Sequence, residues 1–269
     1  MEVDVAKAAQ HVADTEVFDF PFGLEWEIPQ VFGEFFPITK FMVLEVAAAL
    51  LMVAIFVPLA RRIRDGRPPR GRFWNMFEMV LLFIRDEMAR PAIGRRDADR
   101  FLPYLWTAFF FVLFCNLLGL LPWAGSPTGA LAVTATLAAM TFFAVVGAGM
   151  LRYGVVKFVI GLVPHMDLPL AMAIPLYFII LPIEILSLFI KHSILAIRLL
   201  ANMFAGHLVL AVILGFTVMF SGWAWYGVAP VSILAAVALC FLELLVAFLQ
   251  AYIFAFLSAL FIGMAVHQH

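Results

Sequence analysis

"RLLANMFAGH", Arg198–His207, places a guanidinium, an amide and an imidazole inside an apolar run that extends from about Leu170 to Phe220. The length of that run decides the fold. An α-helix rises about 1.5 Å per residue, so about 20 residues cross a hydrocarbon core of about 30 Å. This run is far longer than one upright crossing needs, so the chain must tilt strongly, kink or double back. Pro175 and Pro182 are the candidate kink sites. "SGWAWYG" (Ser221–Gly227) separates it from a second long run, Val228 to about Val266.

Composition agrees with lipid as the solvent. The chain has 269 residues, 65% hydrophobic and 13% charged. A soluble domain is about 45–50% apolar and about 25% charged. The net charge of −1 hides an asymmetry: the segment through Glu34 is mostly acidic, and "ARRIRDGRPPRGR" (Ala60–Arg72) is basic. Cys115 and Cys240 lie far apart in apolar runs and read as buried, inert thiols, with no disulfide or metal framework. "MEVDVAKAAQ" (Met1–Gln10) lacks an apolar h-region, so no secretory signal is expected.

Outward from the long runs, the sequence predicts an all-α integral membrane protein. Residues 1–40 form an extramembrane arm, whose apolar pieces "FDFPFG" and "FGEFFP" are too short and too broken to span. Residues 41–269 form the membrane domain. "FMVLEVAAALLMVAIFVPLA" (Phe41–Ala60) is the first crossing, and the basic residues after it mark a cytoplasmic end. That places the N-terminus outside and, after five crossings, the C-terminus in the cytoplasm. Phe73, Met76, Phe77, Val80, Leu81, Ile84 and Met88 share one helical face, so residues 73–94 read as an amphipathic surface helix ending in Arg85, Asp86, Glu87 and Arg90. Phe101–Trp123 and Ala130–Leu151 are the second and third crossings, and Gly161–Pro169 is a loop. The long stretches 170–220 and 228–266 supply the last two helices, long and strongly tilted.

Charged groups at membrane depth cost from about 2.5 kcal/mol each, which makes function the default reading. The costly residues are Glu184, Lys191, His192, Arg198, Asn202, His207, Glu243 and Gln250. At about 100° per residue, Glu184, Ser187, Lys191, Arg198 and Asn202 form one stripe, His207 lies about 180° from Arg198, and Gln250 shares a face with Glu243. Along a continuous helix Glu184 is about 21 Å from Arg198, and His207 is about 13 Å away on the other side. Carboxylate and imidazole exchange protons and arginine does not. Protonatable groups on both sides of a fixed cation suggest two proton half-paths with a barrier between them. A Lys191–Glu184 pair and a Glu243–His207 pair are the expected internal partners, which leaves Arg198 to face an external carboxylate. Ala201, Ala205 and Gly206 keep its neighbourhood small enough for another helix to approach. Lys191 and His192 otherwise read as interfacial or packing residues, and His165, Asp167, His267 and His269 as solvated loop and tail groups.

At these residues the chain resembles subunit a of the F-type ATP synthase. The family pattern is R-L-F-A-N-x-x-A-G-H; here Leu200 takes the aromatic position. "LPIEILSLFIKHSILAIR", "FLELLVAFLQAYIFAFL", "NLLGLLP" (Asn116–Pro122) and "RDEMARPAIG" (Arg85–Gly94) extend the resemblance from about Val43 to the C-terminus. It implies that Arg198 faces a rotating ring of c subunits and separates two half-channels. It implies Glu184 for the cytoplasmic half, His207 and Glu243 for the outer half, and Asn202 and Gln250 as polar neighbours of the arginine. It further implies peripheral-stalk b subunits and the rest of the ATP synthase as partners, a bacterial inner membrane as location, no cofactor or metal, and no catalytic site in this chain. The family's outer turn carries Asp and Asn where "PTGALAVT" (Pro127–Thr134) has Ala130 and Ala132; Glu25, Glu27 or Glu34 are the expected substitutes.

The alternative is a self-contained proton-coupled transporter, which needs its own counter-ion for Arg198. A nucleotide site is excluded by the absence of G-x-x-x-x-G-K-[ST], and nothing points to nucleic acid.

Overall fold

The computed structural model describes residues 15, 17–20, 24–28, 38–64, 71–121, 124–163 and 170–267; residues 17–20, 24–27 and 170–174 are described by backbone alone. Among the described residues, five helices are long and apolar enough to cross a membrane. They are α1 (Lys40–Ile63), α4 (Ala98–Gly119), α5 (Leu131–Tyr153), α7 (Leu170–Met219) and α8 (Trp223–Val266). Arg61 and Arg62 close α1, where cations complement the negative end of the helix dipole. The surface helix is α2 (Arg72–Phe83), continued by a π-helical turn (Ile84–Ala89) and α3 (Arg90–Ile93). Pro91 has no N–H for the carbonyl four residues back, and the wider turn before it accommodates the ring.

Three features depart from the sequence reading. Val17–Phe20 and Leu24–Glu27 form a two-stranded antiparallel hairpin, β1 and β2, with Val17 opposite Glu27 and Phe20 opposite Leu24. The Lys40 amide donates to the Thr15 carbonyl at 2.9 Å, tying the arm to the start of α1. A short α6 (Val155–Gly161) follows α5, because Gly154 at φ +81° turns the backbone where a side chain is strained. Finally, α8 begins at Trp223, inside the stretch expected to be a separator. Phe220, Ser221 and Gly222, with Gly222 at φ +68°, suffice for the reversal. Trp225 Nε1 donates back to the Thr217 carbonyl at 3.1 Å.

Pro175 and Pro182 lie inside α7, which stays one helix through both. α7 has 50 residues and α8 has 44. Each is far longer than an upright crossing of about 30 Å. Along α8, Ala247, Ala251, Ala255 and Ala259 are fully buried. A small residue every fourth position lets neighbouring backbones approach closely, the packing that lipid-solvated helices favour.

The chain divides into two compact units. Unit 1 comprises Met1–Arg67, Phe110–Thr134 and Arg198–Tyr252; unit 2 comprises Pro68–Phe109, Ala135–Ile197 and Ile253–His269. In unit 1, Phe41, Leu44 and Ala124 pack with Ile28, and Phe56 meets Phe110 at 4.5 Å between ring centroids. Cys115 is buried there, whereas Cys240 is exposed on α8, contrary to expectation.

In unit 2 the apolar stripe of the surface helix splits. Phe77, Ile84 and Met88 are buried; Phe73, Met76, Met79 and Phe83 are exposed. Trp106 Nε1 donates to the Leu81 carbonyl, and the Tyr104 hydroxyl to Thr141. Arg85 grips Asp86 with Nε and Nη2 at 3.0 and 3.1 Å, and Arg90 adds a bond at 2.6 Å. Those hydrogen bonds hold the Asp86 carboxyl below its ordinary range and raise the Arg85 guanidinium above its own.

Candidate functional site

Five of the six predicted site residues belong to unit 1: Arg198, Asn202 and His207 on α7, and Glu243 and Gln250 on α8. Asn202 Nδ2 donates to Gln250 Oε1 at 3.0 Å, which fixes the amide faces of the two long helices on each other. Gln250 is 1% exposed, and its Nε2 has no partner among the described residues. Arg198 is half-buried; its Nε and Nη2 are likewise buried without a partner, and no ion pair reaches it among the described residues.

The expected Glu243–His207 pair is not formed. His207 Nε2 and Glu243 Oε1 are each buried without a hydrogen-bond partner among the described residues. Glu243 lies instead against the backbone of α7 at Gly206. A Cβ built there would stand 2.5 Å from Glu243 Oε1 and 3.2 Å from its carboxyl carbon. The absence of a side chain at Gly206 gives Glu243 the room it occupies.

Beside this cluster runs a second polar chain that sequence reasoning did not assemble. Ser126 Oγ and Thr128 Oγ1 lie 2.8 Å apart, Thr128 donates to Asn116 Oδ1 at 2.7 Å, and Asn116 Nδ2 reaches the Ala247 carbonyl at 3.4 Å. All three side chains are essentially inaccessible. Ser126 and Thr128 occupy the turn where Ala130 and Ala132 replace the polar residues of the resembled pattern, and Asn116 reaches it from α4. Asn116 and Thr128 were visible as residues, but their pairing depends on the fold of the turn. Lys40, at the edge of the predicted arm, is also buried here, with Nζ 5.5 Å from the Phe41 ring centroid. The expected acidic substitutes are not placed: Glu34 and the side chains of Glu25 and Glu27 lie outside the described residues.

The sixth residue, Glu184, lies in unit 2. It lines a cavity of about 330 Å³ with Lys191, Leu188, Phe158, Phe261 and His267. No ion pair joins Glu184 to Lys191 among the described residues, so the acid is not consumed by its neighbour. His192 is a packing residue: 4% exposed, with Nδ1 2.8 Å from the Leu188 carbonyl and its ring near Phe142 and Phe261. His267 is not a loose tail group. Its Nε2 lies 2.6 Å from the Ile93 carbonyl. His165, Asp167 and His269 lie outside the described residues. No cluster of three or more His, Cys, Asp or Glu suited to a metal occurs among the described residues.

The arrangement is suited to passing protons. It offers a cavity-facing acid, an isolated cation, and a buried acid and imidazole held by close packing. Comparison with known proteins agrees. A family model described as ATP synthase A chain matches residues 42–263. ATP synthase subunit a of Myxococcus xanthus is 41% identical over 94% of this chain and 87% of its own length. The Chloroherpeton thalassium subunit a is 40% identical over 96% of this chain and 76% of its own. The Anaeromyxobacter sp. subunit a is 38% identical over 97% of this chain and 62% of its own. With the family pattern running through every crossing and the whole polar set, this chain belongs to the ATP synthase subunit a family.

Proposed function

We propose that this chain is the stator proton path of a rotary ATP synthase, in which Arg198 separates two half-channels. As a subunit a it is a non-catalytic membrane component of that complex. A ring of c subunits faces Arg198, and b subunits of a peripheral stalk hold the chain still. Residues 1–40 form an arm outside a bacterial plasma membrane, residues 41–269 the membrane domain, and the C-terminus is cytoplasmic. Protons enter or leave on the cytoplasmic side by way of Glu184. On the outer side they pass His207 and Glu243, with Asn202 and Gln250 holding the path's polar neighbours in place.

The observation that carries this reading is a guanidinium with no anion beside it among the described residues. A buried donor left unpaired costs about 1–3 kcal/mol, and a charged one more. With Nε and Nη2 of Arg198 unpartnered among the described residues, the site is built to receive an acceptor from another subunit. A passing carboxylate is ionised beside that cation, because a nearby positive charge favours the charged form. Once past it, the carboxylate takes up a proton before turning through lipid. Because arginine keeps its own proton, no direct leak joins the two half-paths. Family membership removes the self-contained transporter, which needed an internal counter-ion.

The test is Arg198→Ala in inverted membrane vesicles. ATP-driven proton pumping should be abolished while the complex still assembles. Pumping at the normal rate would overturn the reading.

A further inference from the structure

We infer that His267 is the proton-collecting group at the cytoplasmic mouth of the Glu184 cavity; this rests on the half-channel reading above. Three polar side chains, Glu184, Lys191 and His267, line that cavity, among apolar walls that include Leu188, Phe158, Phe261 and Met264. An ammonium has donors and no acceptor, so Lys191 cannot take up a proton without first losing one. Imidazole is the side chain suited to gaining and losing protons near neutral pH. It is exposed at one edge of the cavity, while Glu184 is half-buried.

His267 is also held in a fixed orientation. Nε2 lies 2.6 Å from the Ile93 carbonyl, and a carbonyl only accepts, so Nε2 carries a hydrogen. The ring lies beside Gly94, whose φ of +92° favours glycine: a Cβ there would be in ordinary contact with Nε2 at 3.4 Å. The neighbouring Val266 carbonyl accepts from the Tyr153 hydroxyl at 2.7 Å, so the end of α8 is pinned twice. Nδ1 is then the exchanging nitrogen. It takes a proton from bulk water, becoming imidazolium, and releases that proton toward the Glu184 carboxylate through water in the cavity. The ring returns to its starting tautomer without flipping, and the reverse sequence serves synthesis. Among the described residues, the surrounding elements carry Glu184 and Lys191 on α7, Tyr153 on α5 and Lys157 on α6, with Arg95 and Arg96 just after Gly94 and Glu87 on the π-helical turn. They also carry the Arg90–Asp99 pair at 3.7 Å, the Arg152–Asp97 pair at 3.5 Å, and Asp86 held between Arg85 and Arg90. Of the side chains that line the cavity, Glu184 is the acid, and it is the group the imidazole serves.

The test uses the intact complex in inverted vesicles, whose outer medium bathes the cytoplasmic face. His267→Gln keeps an N–H that can reach Ile93 but cannot titrate. Its ATP-driven pumping should be severalfold slower than wild type at low buffer strength, and imidazole added to the medium should restore it. Glu184→Gln should be slowed without any restoration. His267→Gln pumping at the wild-type rate at low buffer strength through the neutral range overturns the inference. So does a loss that imidazole leaves unchanged, which would make His267 only a structural latch. Should His267→Gln fail to assemble, His267→Asn repeats the measurement, with imidazole rescue supporting the inference and its absence overturning it. Arg198→Ala in the same vesicles separates the two proposals: normal pumping there sinks the half-channel reading itself, whatever His267 does.

Discussion

Glu184 looks onto a cavity of about 330 Å³ shared with Lys191 and His267, whereas Glu243 is pressed against Gly206 with no room for a Cβ between them. Both acids sit on long helices within otherwise apolar surroundings, yet their sites are built by opposite means. Around Glu184 the walls stand back, and a water molecule can bridge what the side chains do not reach. Around Glu243, His207 and Gln250, buried polar atoms are set by packing, and one hydrogen bond between amides, Asn202 to Gln250, fixes the register. The first design tolerates imprecision; the second depends on tenths of an ångström.

That contrast breaks most readily at Gly206. Gly206→Ala puts a methyl 2.5 Å from Glu243 Oε1. Since misplacement by about 1 Å can cost about 100-fold in rate, ATP-driven pumping should fall by as much as that. Adding Glu243→Asp, which withdraws the carboxylate by one methylene, should recover part of the loss. No recovery would mean that Glu243 does not owe its position to the glycine. Next comes Gln250→Leu. It removes one hydrogen bond worth about 1 kcal/mol, so pumping should drop about fivefold. An unchanged rate would show that the amide pair does not set the register.

The cavity side should be more forgiving. Glu184→Asp, the same shortening as Glu243→Asp, should leave pumping within a factor of about three, because water can fill the gap. A loss as deep as that of Gly206→Ala would erase the distinction between the two sites. The smallest effect belongs to the surface helix. The Asp86 carboxyl is lowered from 3.8 by its bonds to Arg85 and Arg90, so their contribution is present above that value and is lost only as pH falls below it. Amide exchange of residues 72–93 should therefore be flat through the neutral range and rise only in strong acid. Asp86→Asn should remove that acid dependence.

Much of this was legible in the sequence. Unbroken apolar length revealed the crossings, and the 3.6-residue period revealed the surface helix. The cost of charge in lipid picked out Arg198, Glu184, Asn202, His207, Glu243 and Gln250. Patterns of composition carried less information about polar contacts. "GWAWYG" has glycines at both ends and reads as a turn, but its aromatic residues continue α8. Glu243 and His207 invite pairing as acid and base, but contact depends on which backbone lies nearest, and Gly206 wins. His267 lies two residues before the end of the chain, and only tertiary placement shows what it lines. The alanines at 247, 251, 255 and 259 were a readable signal of close helix approach that charge-centred reasoning passed over.

Arg198, Asn202 and His207 are carried on one uninterrupted rod. Inserting a single residue between Arg198 and His207 would rotate everything downstream by about 100° relative to the arginine. This segment works as a ruler. Its ancestry should therefore record substitutions and no insertions or deletions.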